Sequence, residues 1–187
     1  MTVRRDNIDH FFQYDYLLDK RVILVADSSE DGVDDMMANR FLKAMTILEN
    51  ANQDPITIML KSQGGCIFNG AAIYDAIALS PCHSTVIVYG AAMSMGAIIL
   101  QAADERVMMP SSLFMMHDGT FSSEDSTRTF ENWATVARKL RQDMYRIFAG
   151  RKGKTVRYWE RKCQSDYILT PVEALKEGLI DRIAARQ

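Results

Sequence analysis

Histidine is scarce in this chain: His10, His83 and His117 are the only three in 187 residues, so a histidine general base has few candidates. Cysteine is equally scarce. Cys66, Cys82 and Cys163 are odd in number and too dispersed for a metal-ligand pattern, and they fit a reduced intracellular setting. No two histidines stand at the helical spacing that grips a metal, which argues against metal chemistry. Neither GxGxxG nor GxxxxGK[ST] occurs, which argues against nucleotide binding by this chain. An excess of one charge is missing too. The formal net charge is −2, which leaves no electrostatic footprint for nucleic acid or an anionic membrane. No apolar run approaches the ~18 residues that span a bilayer. The opening Met1-Thr2-Val3-Arg4-Arg5 has no apolar signal-peptide core. A soluble, cytoplasmic protein with no resident cofactor is the expectation.

What the chain does have is an alternation of strand and helix patterns. Its length suits a single domain over residues 1–187, with residues 1–20 as a charged, then aromatic, N-terminal segment. Residues 21–26 read as a first strand, apolar throughout and so expected to be buried on both faces. Asp34 and Asp35 suit a helix N-terminus. Met37, Phe41, Ala44, Met45 and Leu48 then recur at three- and four-residue intervals, one face of a helix. Residues 56–60 form a second strand ending in Lys61-Ser62-Gln63-Gly64-Gly65. A helix is expected over 67–79, with Ala71, Ala72, Tyr74, Ala76 and Ile77 making its contacts. After Pro81 comes a third strand, 85–89, a small-residue turn from Tyr89 to Ala97, and a buried helix. Two short strands follow at 106–109 and 113–116. These lengths fit βαβ units, so the class is α/β.

The pattern then changes. Phe130, Trp133, Val136, Ala137, Leu140, Met144, Ile147 and Phe148 form a long amphipathic stripe ended by Gly150. It reads either as cover for the sheet or as a projecting helix that packs on another subunit, and its length favours the second. Thr170-Pro171-Val172-Glu173 is a capping box with proline at the first helical position, and Gly178 closes that helix.

Four positions could carry chemistry. Ser94 falls between a strand and a helix N-terminus, as a cap or as a nucleophile beside unpaired backbone N–H groups. His117 closes an apolar strand, where sites form in α/β folds, although taken alone a structural histidine is the favoured reading. Gly64-Gly65 ends another strand and permits close backbone approach, or is an ordinary turn. Asp166 adjoins an apolar stretch and needs a partner, for which a histidine N–H would serve.

Together these pieces resemble the Clp protease proteolytic subunit (ClpP) family. The family's Ser-Pro-Gly-Gly turn and Ala-Ile-Tyr-Asp helix are similar to Ser62–Gly65 and Ala72–Asp75. Its Gly-x-Ala-Ala-Ser-Met-Gly-Ala turn resembles residues 90–97. Its Met-Ile-His strand end resembles Met115-Met116-His117, and its aspartate segment resembles Asp166 to Ala174, followed by Gly-Leu-Ile-Asp at 178–181. The resemblance implies the ClpP/crotonase-like α/β fold of repeated β-β-α units, with a projecting handle at about 118–150. It implies Ser94 as nucleophile, His117 as general base and Asp166 orienting the imidazole, with backbone N–H groups of Gly65 and Met95 as oxyanion donors. It also implies a homo-oligomer, heptameric or tetradecameric, that cuts unfolded polypeptides in a closed chamber. An AAA+ unfoldase would feed that chamber, and ATP would enter only through that partner.

The departures are local. Gln63 stands where the family has proline, Met93 where it has a small residue, and Asp118-Gly119 where it has Gln-Pro. Residues 120–123 replace a glycine-rich strand, and Gln164-Ser165 an acid–arginine pair that couples rings. Thr57, Met59, Ile87 and Tyr89 differ from the family's aromatic docking cleft. Short divergent chains of this kind look like those carried by bacteriophages. Two other readings compete: a non-catalytic ring or scaffold subunit, and an acyl-CoA hydratase or isomerase of the same superfamily. The complete Ser94, His117 and Asp166 set argues against the first, and the second would need neither Ser94 nor His117.

Overall fold

The computed structural model describes residues 11, 13–28, 30–120, 126–151 and 153–185. His10, Phe12 and residues 121–123 lie outside the described residues. The β-branched and apolar runs become parallel strands: β2 (Val22–Ala26), β3 (Ile56–Ser62), β4 (Ser84–Met93) and β5 (Glu105–Met108). Between them run α1 (Asp35–Ala51), α2 (Ile67–Ala78) and α3 (Met95–Gln101). A two-residue β1 (Tyr16–Leu17) pairs antiparallel with β2 at one edge, and β8 (Arg182–Ile183) pairs parallel with β5 at the other. The α/β class is as expected.

β4 is the strand on which the site depends. Its first half, Thr85 to Val88, pairs with β5, while Ala91 to Met93 pair with β6 (Leu113–Met116). β3 follows both halves on the other side, with a register shift between Leu60 and Ser62. Gly90, at φ 71°, sits at the fork, where only glycine adopts the left-handed backbone at little cost. The expected turn from Tyr89 to Ala97 is therefore corrected. Strand pairing continues to Met93, because β6 offers the far half of β4 a partner.

Burial corrects a second expectation. β2 is not buried on both faces: Ile23 and Val25 are buried, while Val22, Leu24 and Ala26 are half-buried. β3 and β4 alternate likewise, with Ile56, Ile58, Leu60, Val86 and Val88 buried and Thr57, Met59, Thr85 and Ile87 half-buried. The sheet has one closed face and one only partly covered, so a period of two survives even in apolar runs.

The helices cover the closed face, their apolar sides in one core with Ile23, Val25, Ile58, Leu60, Val86 and Val88. Asp34 caps α1 by accepting the Met37 N–H at 2.8 Å, and the helix buries Ala38, Phe41, Ala44, Met45 and Leu48. α2 buries Gly70, Ile73 and Ile77, whereas the expected contact Ala71 is exposed. The seam centres on Gly70, where an added Cβ would displace the flexible Met95 Cε and lie a tight 3.2 Å from Met95 Cβ, so glycine suits the close approach of α2 to α3. Every residue of α3 is buried.

The long helix, α4 (Thr127–Ala149), buries only Tyr145 and Phe148, both near its C-terminal end. There Phe148 packs 5.7 Å from Trp159 of α5 (Val156–Lys162) and 6.3 Å from Phe114. Farther along, Trp133 and Val136 are 42% and 38% exposed, so the apolar stripe runs off the core. The chain closes with β7 (Tyr167–Leu169), antiparallel to β6, and α6 (Pro171–Glu177), whose capping box forms as read.

A buried guanidinium ties the C-terminal segment to β5. Arg106 donates from Nε to Asp181 Oδ2 at 2.9 Å and from Nη2 to Oδ1 at 2.7 Å, and from Nη1 to the buried Gln101 at 2.9 Å. Burial pushes the Asp181 carboxyl up, but the Arg106 hydrogen bonds outweigh it and hold the group below its ordinary value. A depressed carboxyl contributes stability that is complete above the unfolded pKa, about 4, and is lost as the pH falls toward the folded value. Stability by urea unfolding is therefore expected to fall below about pH 4. Asp181→Asn should flatten that acid limb, and an unchanged limb would remove Asp181 from the account.

Candidate active site

The switch from β4 to α3 takes place within one residue. Ser94 has φ 49° and ψ −118°, outside the conformations that side-chain-bearing residues ordinarily adopt. Such a backbone costs on the order of 1–2 kcal/mol and persists only where surroundings impose it. Here they do. The Ser94 N–H donates to Met115 O of β6 at 2.9 Å, its C=O accepts from Ala97 at 3.0 Å, and buried α3 follows at once. The Ser94 hydroxyl makes no capping bond to its helix. It lies 2.9 Å from His117 Nε2 instead. The cap reading of this serine is thereby set aside.

His117 stands directly after β6 and Asp166 directly before β7. The two strands are antiparallel with Met116 opposite Tyr167, and the next pair along that register is His117 and Asp166. The side chains meet: His117 Nδ1 lies 3.3 Å from Asp166 Oδ1, with the imidazole 29% and the carboxylate 62% exposed. A carboxylate at Nδ1 selects the tautomer with its proton there, which leaves the Nε2 lone pair for the serine hydroxyl. His83 is placed elsewhere, with its Nδ1 3.7 Å from Asp104.

The Gly-Gly turn completes the surroundings. Val33 donates to Gly64 O at 2.8 Å, and Cys66 donates to Val33 O at 3.0 Å. In a trans peptide the C=O and the following N–H point in opposite directions. The Gly65 N–H therefore points away from Val33, and among the described residues it meets no acceptor. The Met95 N–H, first in α3, has none among them either. Gly65, Met95, Ser94 and His117 line one cleft of about 770 Å³, whose far wall includes Trp133 and Leu140 of α4. Gly64 could carry no side chain here, since a Cβ would lie 2.6 Å from Ser94 Cβ.

One group escaped the sequence reading. Asp118 follows His117, donates its N–H to Cys163 O at 2.8 Å, and accepts the Tyr145 hydroxyl, with Arg141 3.6 Å away. Burial first, then the Asp118 carboxylate, push the Tyr145 phenol above its ordinary value, so it stays a donor. The base of α4 is thus bonded to the residue beside the imidazole. The signal in sequence was a tyrosine and an arginine on the polar flank of an amphipathic stripe, which reads as ordinary surface. Cys163 contributes only bulk here, its thiol pushed up to about 12 by burial and then by Asp118.

The chain is similar to known proteins over nearly its whole length. A family model described as Clp protease matches residues 5–187. The ATP-dependent Clp protease proteolytic subunit of Deinococcus radiodurans is 32% identical over 173 residues, which is 91% of this chain and 83% of that protein. A solved point variant of ClpP1 from Listeria monocytogenes superposes with a TM-score of 0.82 at 25% identity, covering 91% of this chain and 95% of the other. A family model matched over nearly the whole chain, together with a relative 32% identical over nine-tenths of it, identifies the chain as a member of the Clp protease family.

Proposed function

We propose that this protein is a serine endopeptidase in which Ser94 is the nucleophile, His117 the general base and Asp166 the group that orients and charge-balances the imidazole. The observation that carries the reading is the 2.9 Å contact from Ser94 Oγ to His117 Nε2 at a serine held in a left-handed backbone. His117 Nε2 takes the hydroxyl proton as Oγ attacks the scissile carbonyl carbon. The carbonyl oxygen becomes an oxyanion that accepts from the Gly65 and Met95 N–H groups. Collapse breaks the C–N bond, and the leaving amine takes the proton from His117. Water then repeats the sequence on the acyl-enzyme, delivering its proton to His117 and releasing the new carboxylate and free Ser94. No external redox partner or metal is needed for this balance.

The substrate class is an unfolded polypeptide, which the open cleft of about 770 Å³ between Gly65 and α4 accommodates as an extended chain. The working form is a cytoplasmic homo-oligomer, a ring of seven or a stacked pair, with α4 as the projecting handle. Exposed Trp133 and Val136 on that helix support such a contact. An AAA+ unfoldase would supply polypeptide and is the only point at which ATP enters. The name of the Deinococcus radiodurans relative, an ATP-dependent protease subunit, is in keeping with this.

A fluorophosphonate separates this from the scaffold reading. Stoichiometric labelling of the assembled protein is expected, with the adduct mapped to Ser94 by peptide mass spectrometry. Absence of an adduct on assembled, folded protein would overturn the proposal.

A further inference from the structure

The turn that carries Gly65 cannot hold its own shape. Gly64 and Gly65 have φ of 112° and 148°, and Ser62-Gln63-Gly64-Gly65 contains no proline to restrict it. Its order comes from the loop after β2. Asp27 donates its N–H to Lys61 O at 3.1 Å, and Asp27 Oδ2 accepts the Gln63 N–H at 2.6 Å. Farther on, Val33 holds the Gly64 carbonyl, and Gly32 presses so close that a Cβ would lie 1.9 Å from that oxygen. Within the turn, Gly64 donates to Ser62 Oγ at 3.0 Å. Gln63 N–H, Gly64 N–H, Gly64 C=O and Cys66 N–H are thus each committed, and the Gly65 N–H is the one left over.

Only one of these anchors from the loop is a charged side chain. Hydrogen bonds to a carboxylate are shorter and roughly twice as strong as neutral ones. The other oxygen, Asp27 Oδ1, is buried without a partner among the described residues. The carboxylate's retained bond goes to the peptide immediately before the two glycines, at the point where the turn leaves β3.

We propose that Asp27 is a positioning residue for the hydrolytic reaction: through the Gln63 N–H it fixes the turn that presents the Gly65 N–H to the tetrahedral oxyanion. The proposal rests on the Ser94 reading above, with Gly65 as an oxyanion donor. Asp27 touches neither substrate nor Ser94. It acts through the backbone of residues 63–65.

The test uses the assembled enzyme, with kcat expressed per fluorophosphonate-titrated serine so that partial unfolding does not enter. Loss of an oxyanion donor costs about 10²- to 10³-fold in kcat, and a displaced donor costs less. Asp27→Ala is therefore expected to lower kcat by about 10- to 100-fold with KM within about threefold. Affinity for a peptide boronate, which places an oxygen in the oxyanion site, should fall by the same factor, while affinity for a cleaved product peptide holds. Asp27→Asn keeps an acceptor oxygen without the charge and is expected to lose only about two- to fivefold. An unchanged kcat per titrated serine in Asp27→Ala overturns the proposal. If that variant does not assemble, Asp27→Asn decides, and an unchanged kcat and boronate affinity there overturn it equally. A wild-type protein that is assembled but neither labels nor cleaves would defeat the Ser94 reading instead, so the two failures are distinct.

Discussion

Replacing Ser94 by alanine is expected to lower kcat for peptide cleavage by about 10⁴- to 10⁶-fold, the range for loss of the nucleophile in other serine proteases. Stability should change by less than about 0.5 kcal/mol. The reason lies in the geometry. The Ser94 hydroxyl is bonded to His117 and makes no capping bond to α3, so its removal frees no helix N–H that was satisfied before. Alanine meets the same steric cost as serine at φ 49°. Assembly, melting temperature and peptide cleavage measured on one preparation check all three statements. Retention of more than about a hundredth of the activity would mean that another group attacks the substrate. His117→Ala is expected to fall about as far, and the double variant little farther, because the two residues act as one unit.

The second large effect is expected at Gly64. Alanine there would place a Cβ 2.6 Å from Ser94 Cβ and 3.1 Å from Oγ, on a backbone with φ 112°. The obstructing atom is the root of the Ser94 side chain, itself pinned by Met115 and by α3, so it cannot swing aside as a flexible tip could. Either the serine or the turn must shift by a large fraction of an ångström. Misplacement of about 1 Å costs reactions of this kind on the order of 10²-fold. Gly64→Ala is accordingly expected to lower kcat/KM by at least about 10²-fold. Gly153→Ala supplies the control, since its φ is 62° but nothing lies within 4 Å of the added Cβ. That variant should lose about 1–2 kcal/mol of stability and no activity per folded molecule. Equal activities in the two variants would show that backbone strain, and not contact with Ser94, governs the turn.

Much of the fold was legible from local pattern. The bounds of β6, the cap at Asp34, the capping box at Thr170 and the end of α4 at Gly150 all depend on neighbours within a few residues. What the pattern misjudged depended on distant partners. The reach of β4 to Met93 required β6 to pair with it, about twenty residues later in the chain. The buried face of α2 was set by the approach of Met95 to Gly70. Full burial of β2 did not occur, because an apolar run does not reveal whether both faces of the sheet are covered.

The site divides the same way. Ser94, His117, Asp166 and Gly65 were readable as candidates, each at the end of its own element, whereas their roles and the Met95 N–H came only from the resemblance to the Clp protease family. The local pattern around Ser94 suits a cap as well as a nucleophile, and the resemblance favoured the nucleophile; in the fold its hydroxyl faces an imidazole and caps nothing. Asp118 with Tyr145, and Asp27 with Gln63, could not be read at all, because each pair joins residues separated by tens of positions. The sequence by itself determined the class of fold, the ends of most helices and the groups available for chemistry, all of which follow from periodicity and side-chain type. Only the tertiary structure decided which groups meet. The register between β6 and β7 sets His117 against Asp166, and the fork in β4 brings Ser94 to His117. A peptide plane held by the loop from Asp27 to Val33 turns the Gly65 N–H the other way. Contacts of that kind are closed by strand pairing over long sequence separations, where local propensity carries no information.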